Sequence, residues 1–151
     1  MKLLVQRVLK ASVTVGGRTT ASIGPGMLVL VGIACGDNAL DASFLARKAA
    51  QLRIFNDEQG KMNRSIDAVH GEFLAVSQFT LYGDCAGGNR PSYTEAAAPD
   101  EAKGLYEQFV VSLRAMGHRV HTGEFREHML VESVNDGPVT LILESRGRMT
   151  S

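Results

Sequence analysis

An alternation of apolar and polar residues near the start of the chain constrains the fold most. The odd positions from Leu3 to Val15, Leu9 among them, are apolar with one exception at Arg7, while the even positions are mostly polar. This period of two is that of a strand with one buried face. A Gly-Gly pair at 16–17 then predicts a hairpin turn, and the apolar run "GPGMLVLVGIA" (24–34) predicts a central strand. The chain therefore begins as a β-sheet.

Two amphipathic stretches predict helices that lie between strands. The first follows a capping residue at Asp37 or Asn38, and the second opens at Pro99 and Asp100 and ends at Gly117. Further strands are predicted in four segments, "GEFLAVSQFTLYG" (71–83), "RVHTG", "MLVESV" and "VTLILES". Strands outnumber helices, which favours a mixed α/β domain with one or two β layers covered by helices.

Length and composition bound the class of protein. With 151 residues and 44% hydrophobic content, one domain spanning residues 1–151 is expected. The formal net charge of +0 gives no electrostatic footprint for non-specific binding along nucleic acid, so any such contact must be local. No apolar run approaches the roughly 20 residues that span a bilayer, and the N-terminus does not resemble a signal peptide. Two cysteines are too few for a disulfide framework. We predict a cytoplasmic protein without membrane contact.

Arg7 is the one charged side chain on the predicted buried face of the first strand. A guanidinium in that place needs several acceptors to offset its desolvation, which would mean that it holds another part of the structure. The alternative is an edge position from which the side chain reaches water. The sequence leaves both open.

Several common kinds of site have no support. Neither the dinucleotide nor the P-loop glycine pattern occurs. His118, His121 and His128 lie near Glu124 and Glu127, but in a strand the first two histidines point to opposite faces. No metal site is predicted.

Four residues offer a nucleophile: Ser77, Thr80, Cys85 and Thr140. No histidine lies near any of them in the sequence, and the nucleophile-elbow pattern is absent. On spacing alone, the polar residues at 77, 78 and 80 are best interpreted as a strand end that caps the core.

Taken together, four segments resemble the D-aminoacyl-tRNA deacylase family. They occur in the order "RIFNDEQGKMNRS" (53–65), "SQFTLYGD" (77–84), "NRPSYTEAAAP" (89–99) and "NDGPVT" (135–140), and the resemblance runs through nearly the whole chain. It implies largely antiparallel, barrel-like β layers covered by two helices. It further implies a homodimeric hydrolase, without a cofactor, that cleaves the ester between a D-amino acid or glycine and the terminal adenosine of tRNA.

The same resemblance assigns roles to individual residues. Gly137 and Pro138 are implied to form a cis peptide that reaches into the partner subunit's active site, where its carbonyl oxygens exclude an L side chain. The segment Ser77, Gln78, Phe79 and Thr80 is implied to hold the ester and stabilise the oxyanion, while the substrate's 2'-hydroxyl assists water attack.

Supporting roles and one open question complete the predicted site. We expect Arg7 to anchor backbone carbonyls near the Gly-Pro dipeptide, and Met129, Asn135 and Thr140 to support the site. Phe79 either stacks on the terminal adenine or belongs to the core.

The sequence departs from the family pattern at two places. Residues 83–88 lack the basic pair that is usual there, so no phosphate contact is carried over to that loop. Arg126, Glu127 and His128 stand where Gly, Ala and Asp are common. Two rival hypotheses remain: an esterase with Thr80 as acyl acceptor, and a non-catalytic dimer that binds tRNA ends or small metabolites.

Overall fold

The computed structural model describes residues 1–146. It contains eight strands and two α-helices among these residues, together with short 3-10 turns at Asp67–Val69 and Phe79–Tyr82. In chain order the elements are β1 (Lys2–Val15), β2 (Arg18–Ile23), β3 (Gly26–Gly32), α1 (Ala39–Gln51), β4 (Phe55–Asn56), β5 (Met62–Arg64), β6 (Glu72–Ser77), α2 (Pro99–Ala115), β7 (Val120–Thr122) and β8 (Leu130–Glu144).

The main sheet has the order β2-β1-β3-β6-β7, and β8 also pairs with β1, outside this path. Strand β1 pairs with β3 through residues 2–8 and with β2 through residues 11–15, whereas β8 runs along both halves of β1. The pairs that involve β1 are antiparallel, whereas β3 with β6 and β6 with β7 are parallel. Because β2 also contacts β6 and β7, the sheet curls into a nearly closed barrel. The predicted mixed α/β class, with barrel-like β layers and two helices, is confirmed.

Strand β1 serves two cores because a bulge divides it. Val8 pairs with Asn135 and Lys10 with Val134, so Leu9 is an extra residue opposite β8. The bulge turns Leu9 out to 53% exposure, and the prediction that Leu9 lies on the buried face is wrong. Leu3 and Val5 pack in the layer that includes the helices, whereas Val8, Ala11 and Val13 fill the barrel interior.

The predicted starts of both helices are found, and α1 has the predicted side-chain cap. The Asn38 side chain accepts from the Leu40 N–H at 2.9 Å, and Asp41 closes the capping box, so Asn38 rather than Asp37 is the N-cap of α1. Helix α2 begins at Pro99, as predicted, and its buried face includes Tyr106 and Phe109.

The strand predicted over residues 71–83 ends early, at Ser77. The Gln78 N–H still donates to the Val31 carbonyl at 2.8 Å, and the chain then turns into the 3-10 segment Phe79–Tyr82. A Cβ on Gly32 would lie 3.1 Å from the Leu81 Cβ, so the absence of a side chain at Gly32 lets the turn pack on the end of β3.

The two strands predicted near the end of the chain form one continuous strand, β8. Thr140 pairs with Gln6 and Asn135 with Val8, so the four residues 136–139 bulge opposite the single residue Arg7. A proline is tolerated there because β8 lies at the sheet edge, where a missing donor breaks no ladder bond.

Strand β8 exposes several apolar side chains that nothing covers among the described residues. Leu130 and Ile142 are 59% and 63% exposed, and Val131, Val134 and Leu141 are exposed as well. Both cysteines are exposed free thiols. Neither helix within residues 1–146 has the length and apolar character needed to cross a membrane.

Candidate active site at the end of strand β6

A cavity of about 710 Å³ opens where β6 leaves the sheet. Its lining includes residues 76–79 around the end of β6, Tyr93, residues 96–99 at the start of α2, and the segment 125–129 that leads to β8. Three of the four predicted catalytic residues, Ser77, Gln78 and Phe79, therefore line one cavity. The side chains at positions 96, 97 and 98 are alanines, which are small and apolar, so this part of the lining is mostly apolar.

The turn after Gln78 presents backbone donors. Leu81 is the first residue of the turn whose N–H donates within it, to the Gln78 carbonyl at 3.3 Å. The N–H groups of Phe79 and Thr80 precede that bond and have no acceptor among the described residues, as at the start of any helix. Two adjacent free donors beside a cavity can stabilise an oxyanion.

Side chains of the same segment complete this end of the cavity. Gln78 Nε2 donates a short hydrogen bond to Thr80 Oγ1, although Thr80 is not among the lining residues. Phe79 is 54% exposed and meets Tyr93 edge to face, with ring centroids 5.0 Å apart. The alternative that Phe79 belongs to the core is wrong, since the 3-10 turn carries its ring out of the sheet.

Gly137 and Pro138 lie in the bulge of β8 and are joined by a cis peptide bond. They are exposed, and neither is among the residues that line the cavity of their own chain. Gly137 has a φ of +124°, which side chains rarely adopt, and a Cβ there would lie 2.9 Å from Val139 Cγ2. Only glycine fits this position without strain.

Arg7 ties the bulge to the body of the protein. Its Nε donates to the Asp136 carbonyl at 3.2 Å and lies 3.1 Å from Asp136 Oδ2. Its Nη1 donates to the Ile54 carbonyl at 2.7 Å and to Asn56 Oδ1 at 3.1 Å. Arg7 is only 6% exposed, so the alternative of a side chain that reaches water is wrong.

Asn135 and Thr140 connect the two ends of the bulge. Asn135 Nδ2 donates to Thr140 Oγ1 at 2.9 Å, and Asn135 Oδ1 accepts from the Val139 N–H at 3.2 Å. Gln6 Nε2 also donates to Thr140 Oγ1, at 3.2 Å. These bonds limit the conformations that the intervening residues can adopt.

Near Phe125 the lining depends on Tyr106, a residue of the buried face of α2 that the sequence did not assign to the site. Its hydroxyl donates to the Ala75 carbonyl at 2.9 Å, and its ring lies 6.0 Å from that of Phe125 in the lining. Burial raises the pKa of Tyr106 to about 12. A tyrosine on an otherwise apolar helix face was the available signal, since a buried hydroxyl needs a partner.

Met129 lines the cavity and packs across Gly123. A Cβ on Gly123 would lie 2.7 Å from the Met129 sulfur, so the glycine makes room for the thioether. The three neighbouring histidines separate in space: His118 pairs with Asp67 at 3.1 Å and His121 with Glu72 at 2.8 Å, while His128 lines the cavity. Residues 1–146 contain no cluster of three such side chains that could hold a metal ion.

Comparison with known proteins identifies the family. The family model described as D-Tyr-tRNA(Tyr) deacylase matches residues 4–144. A D-aminoacyl-tRNA deacylase of Heliobacterium modesticaldum is 59% identical over 147 residues, covering 97% of this chain and 98% of that protein. A second, from Desulforamulus reducens, is 58% identical over 146 residues with the same coverage.

Two solved structures share the fold. One described as the c-Myc DNA Unwinding Element Binding Protein has a TM-score of 0.90 and 42% identity, covering 96% of this chain and 99% of that one. A probable eukaryotic D-amino acid tRNA deacylase shares the fold, with a TM-score of 0.83 at 15% identity over 95% of this chain and 98% of that one. From the family match and these relatives, the chain belongs to the D-aminoacyl-tRNA deacylase family.

Proposed function

We propose that this protein hydrolyses the ester between a D-amino acid, or glycine, and the terminal adenosine of tRNA, as a single-domain cytoplasmic enzyme. The observation that carries the proposal is the pair of free N–H groups at Phe79 and Thr80 beside the cavity, in a chain of this family. Such donors suit the oxyanion that forms when water attacks an ester carbonyl. Each preorganised donor of this kind contributes roughly 10²–10³ in rate.

The substrate supplies part of the chemistry. The ester carbonyl lies against the turn after Gln78, and the 2'-hydroxyl of the terminal ribose assists the attacking water. Ser77 and Gln78 orient the ester, and Thr80 is held by Gln78 rather than acting as a nucleophile. Phe79 and Tyr93 form the aromatic edge against which the terminal adenine stacks.

The role of the 2'-hydroxyl can be separated from that of a protein base. His128 is the one imidazole among the described residues of the lining. A tRNA ending in 2'-deoxyadenosine should lose most of the rate with the parent enzyme, whereas His128→Gln should keep most of it on normal tRNA. The reverse pattern would make His128 the base and contradict substrate assistance.

Selectivity for D esters comes from Gly137 and Pro138 of the partner subunit. Their exposed position outside the cavity of their own chain supports this, since they are available to a neighbouring molecule. Carbonyl oxygens aimed at the substrate's α-carbon leave room for hydrogen and exclude an L side chain. Glycine passes the same filter, because it carries hydrogen on both sides.

A homodimer follows from the same arrangement. The exposed apolar side chains of β8, between Leu130 and Ile142, are those that a second copy would bury. The bulge that contains Gly137 lies within this strand, so the interface and the selectivity segment are continuous. Each active site is then completed by the partner.

Deacylation of matched D-, L- and glycyl-tRNAs by the purified dimer tests the proposal. We expect rapid release of D-amino acids and glycine, with no release of the L-amino acid above the spontaneous rate. Tight binding of charged tRNA without turnover of any ester would favour the rival hypothesis of a binding module.

A further inference from the structure

Arg126 has a backbone conformation that is unusual for an arginine. It sits at the third position of a turn closed by the Glu127 N–H donating to the Glu124 carbonyl at 3.3 Å. Its φ is +67°, in the left-handed region where glycine is normally found. Arginine therefore stands at a position whose backbone conformation favours glycine, so the surroundings of its side chain are the feature to account for.

The guanidinium of Arg126 has no hydrogen-bond or ion-pair partner within the described part of the chain. Arg126 lines the cavity and is exposed, and no hydrogen bond or ion pair joins it to any of residues 1–146. It is the only lysine or arginine among the described residues of the lining, where Glu127 is its only acidic neighbour. A fixed positive charge thus stands at a cavity that is otherwise mostly uncharged.

On the basis of the proposed function, we propose that Arg126 binds a phosphodiester of the tRNA 3' end, next to the adenosine whose ester enters the cavity. A guanidinium offers two parallel donors that match two phosphate oxygens. The loop at residues 83–88 follows the turn Phe79–Tyr82. It contains Asp84 and no basic residue, so it offers no second phosphate site. Arg126 then strengthens the binding of a tRNA ester but not that of an ester of free adenosine, which has no phosphate.

Two substrates isolate this contact: a D-aminoacyl-tRNA, and the same D-amino acid esterified to free adenosine, which has no phosphate. Arg126→Gly removes the cation and relieves the backbone. For the tRNA ester its KM should rise roughly 10- to 100-fold, as for a lost charge-assisted hydrogen bond. The slope of log KM against log salt should fall by about 0.7, the value for one single-strand phosphate. The ratio of kcat/KM for tRNA ester to adenosine ester should fall with it.

Further variants check the charge and exclude a structural role. Glu127→Gln removes the neighbouring anion and should lower the KM for the tRNA ester. Arg47→Ala, an exposed arginine on α1 away from the cavity, makes the same change in net charge and should leave the KM and the salt slope unaltered. The melting temperature of Arg126→Gly should rise, because glycine accepts the left-handed backbone.

The outcomes separate this inference from the proposed function. Equal loss on both substrates would mean that Arg126 shapes the cavity rather than binding phosphate, and an unchanged salt slope would exclude the contact. Either result overturns the inference while the deacylase activity stands. Absence of turnover of both substrates by the parent would overturn the proposed function, and this inference with it.

Discussion

Replacing Arg7 with lysine should loosen the Gly137–Pro138 segment while a positive charge stays in the same buried place. The guanidinium donates from Nε to the Asp136 carbonyl and from Nη1 to the Ile54 carbonyl, at 3.2 Å and 2.7 Å. Lysine carries its donors on one nitrogen and cannot span both acceptors. We expect it to keep the shorter bond, to Ile54, and to release the Asp136 carbonyl.

The magnitude follows from the bond that is lost. A hydrogen bond from a charged donor contributes about 1.5–3 kcal/mol, and the free energy of unfolding should fall by that amount. If the same bond holds the segment in position to exclude L esters, discrimination should drop roughly 10- to 150-fold, at about 1.4 kcal/mol per tenfold. Arg7→Ala is a poorer test, because it also leaves the buried Ile54 carbonyl without its donor.

The assay compares kcat/KM for matched D- and L-aminoacyl-tRNAs, alongside unfolding in guanidinium chloride. Asp136→Asn is one control: it keeps the carbonyl, and because the Asp136 side chain is 41% exposed, its ion pair contributes only about 0–1 kcal/mol. Leu45→Ala is the other. It removes a fully buried side chain of α1, which lowers stability by about 2–5 kcal/mol away from the bulge, and should leave the D to L ratio unchanged.

One result would refute the reasoning about Arg7. If the lysine variant loses stability as expected but discriminates between D and L esters as strictly as the parent, the anchor does not control selectivity. Arg7 would then only stabilise the fold. Loss of discrimination in Leu45→Ala as well would show that the ratio responds to stability in general.

Four further substitutions give separate tests. Gly137→Ala should weaken binding of D and L esters alike, measured as the KM of the D ester and the inhibition constant of the L ester, because its Cβ would meet Val139 at a φ of +124°. Thr80→Val should lower kcat about tenfold at most, since it removes one exposed hydrogen bond worth about 0.5–1.5 kcal/mol; abolished turnover, with an acyl adduct on the parent in quenched mass spectrometry, would make Thr80 the nucleophile. Ile142→Glu should give a folded, inactive monomer in sedimentation velocity, and an active monomer would contradict shared active sites. Tyr106→Phe should change the pH dependence of stability: burial raises the pKa of Tyr106 from 10.0 to about 12, so its contribution is complete below pH 10 and is lost between pH 10 and 12. Between pH 10 and 12 the free energy of unfolding, measured in urea, should therefore fall less steeply for the phenylalanine variant than for the parent, by up to about 1.4 kcal/mol per pH unit.

Features with a local cause could be predicted from the sequence. The period of two in β1, the apolar run of β3, the cap at Asn38 and the start of α2 at Pro99 all depend on residues within a few positions of one another. The family resemblance, carried by short segments in a fixed order, likewise needed no structure. Together they were enough for the fold class, and they directed attention to the segment after β6, where we propose that the chemistry takes place.

The tertiary structure decided what depends on distant pairing. Arg7 finds its acceptors at Ile54, Asn56 and Asp136, which are 47, 49 and 129 positions away, so no local pattern could choose between an anchor and an exposed edge. Because β1 pairs with both halves of β8, the residues around Pro138 form a bulge within one strand and not a hairpin turn between two strands.

Side-chain exposure shows the same contrast between what local sequence determines and what long-range pairing determines. Leu9 follows the alternation of its strand, yet the bulge opposite β8 turns it outward, and Phe79 sits in an apolar run, yet the turn over Gly32 exposes it. Local periodicity sets which side chains could share a face, whereas the pairing of strands from opposite ends of the chain sets which face is buried. The residues we assign to catalysis and selectivity lie where that long-range pairing interrupts the local pattern.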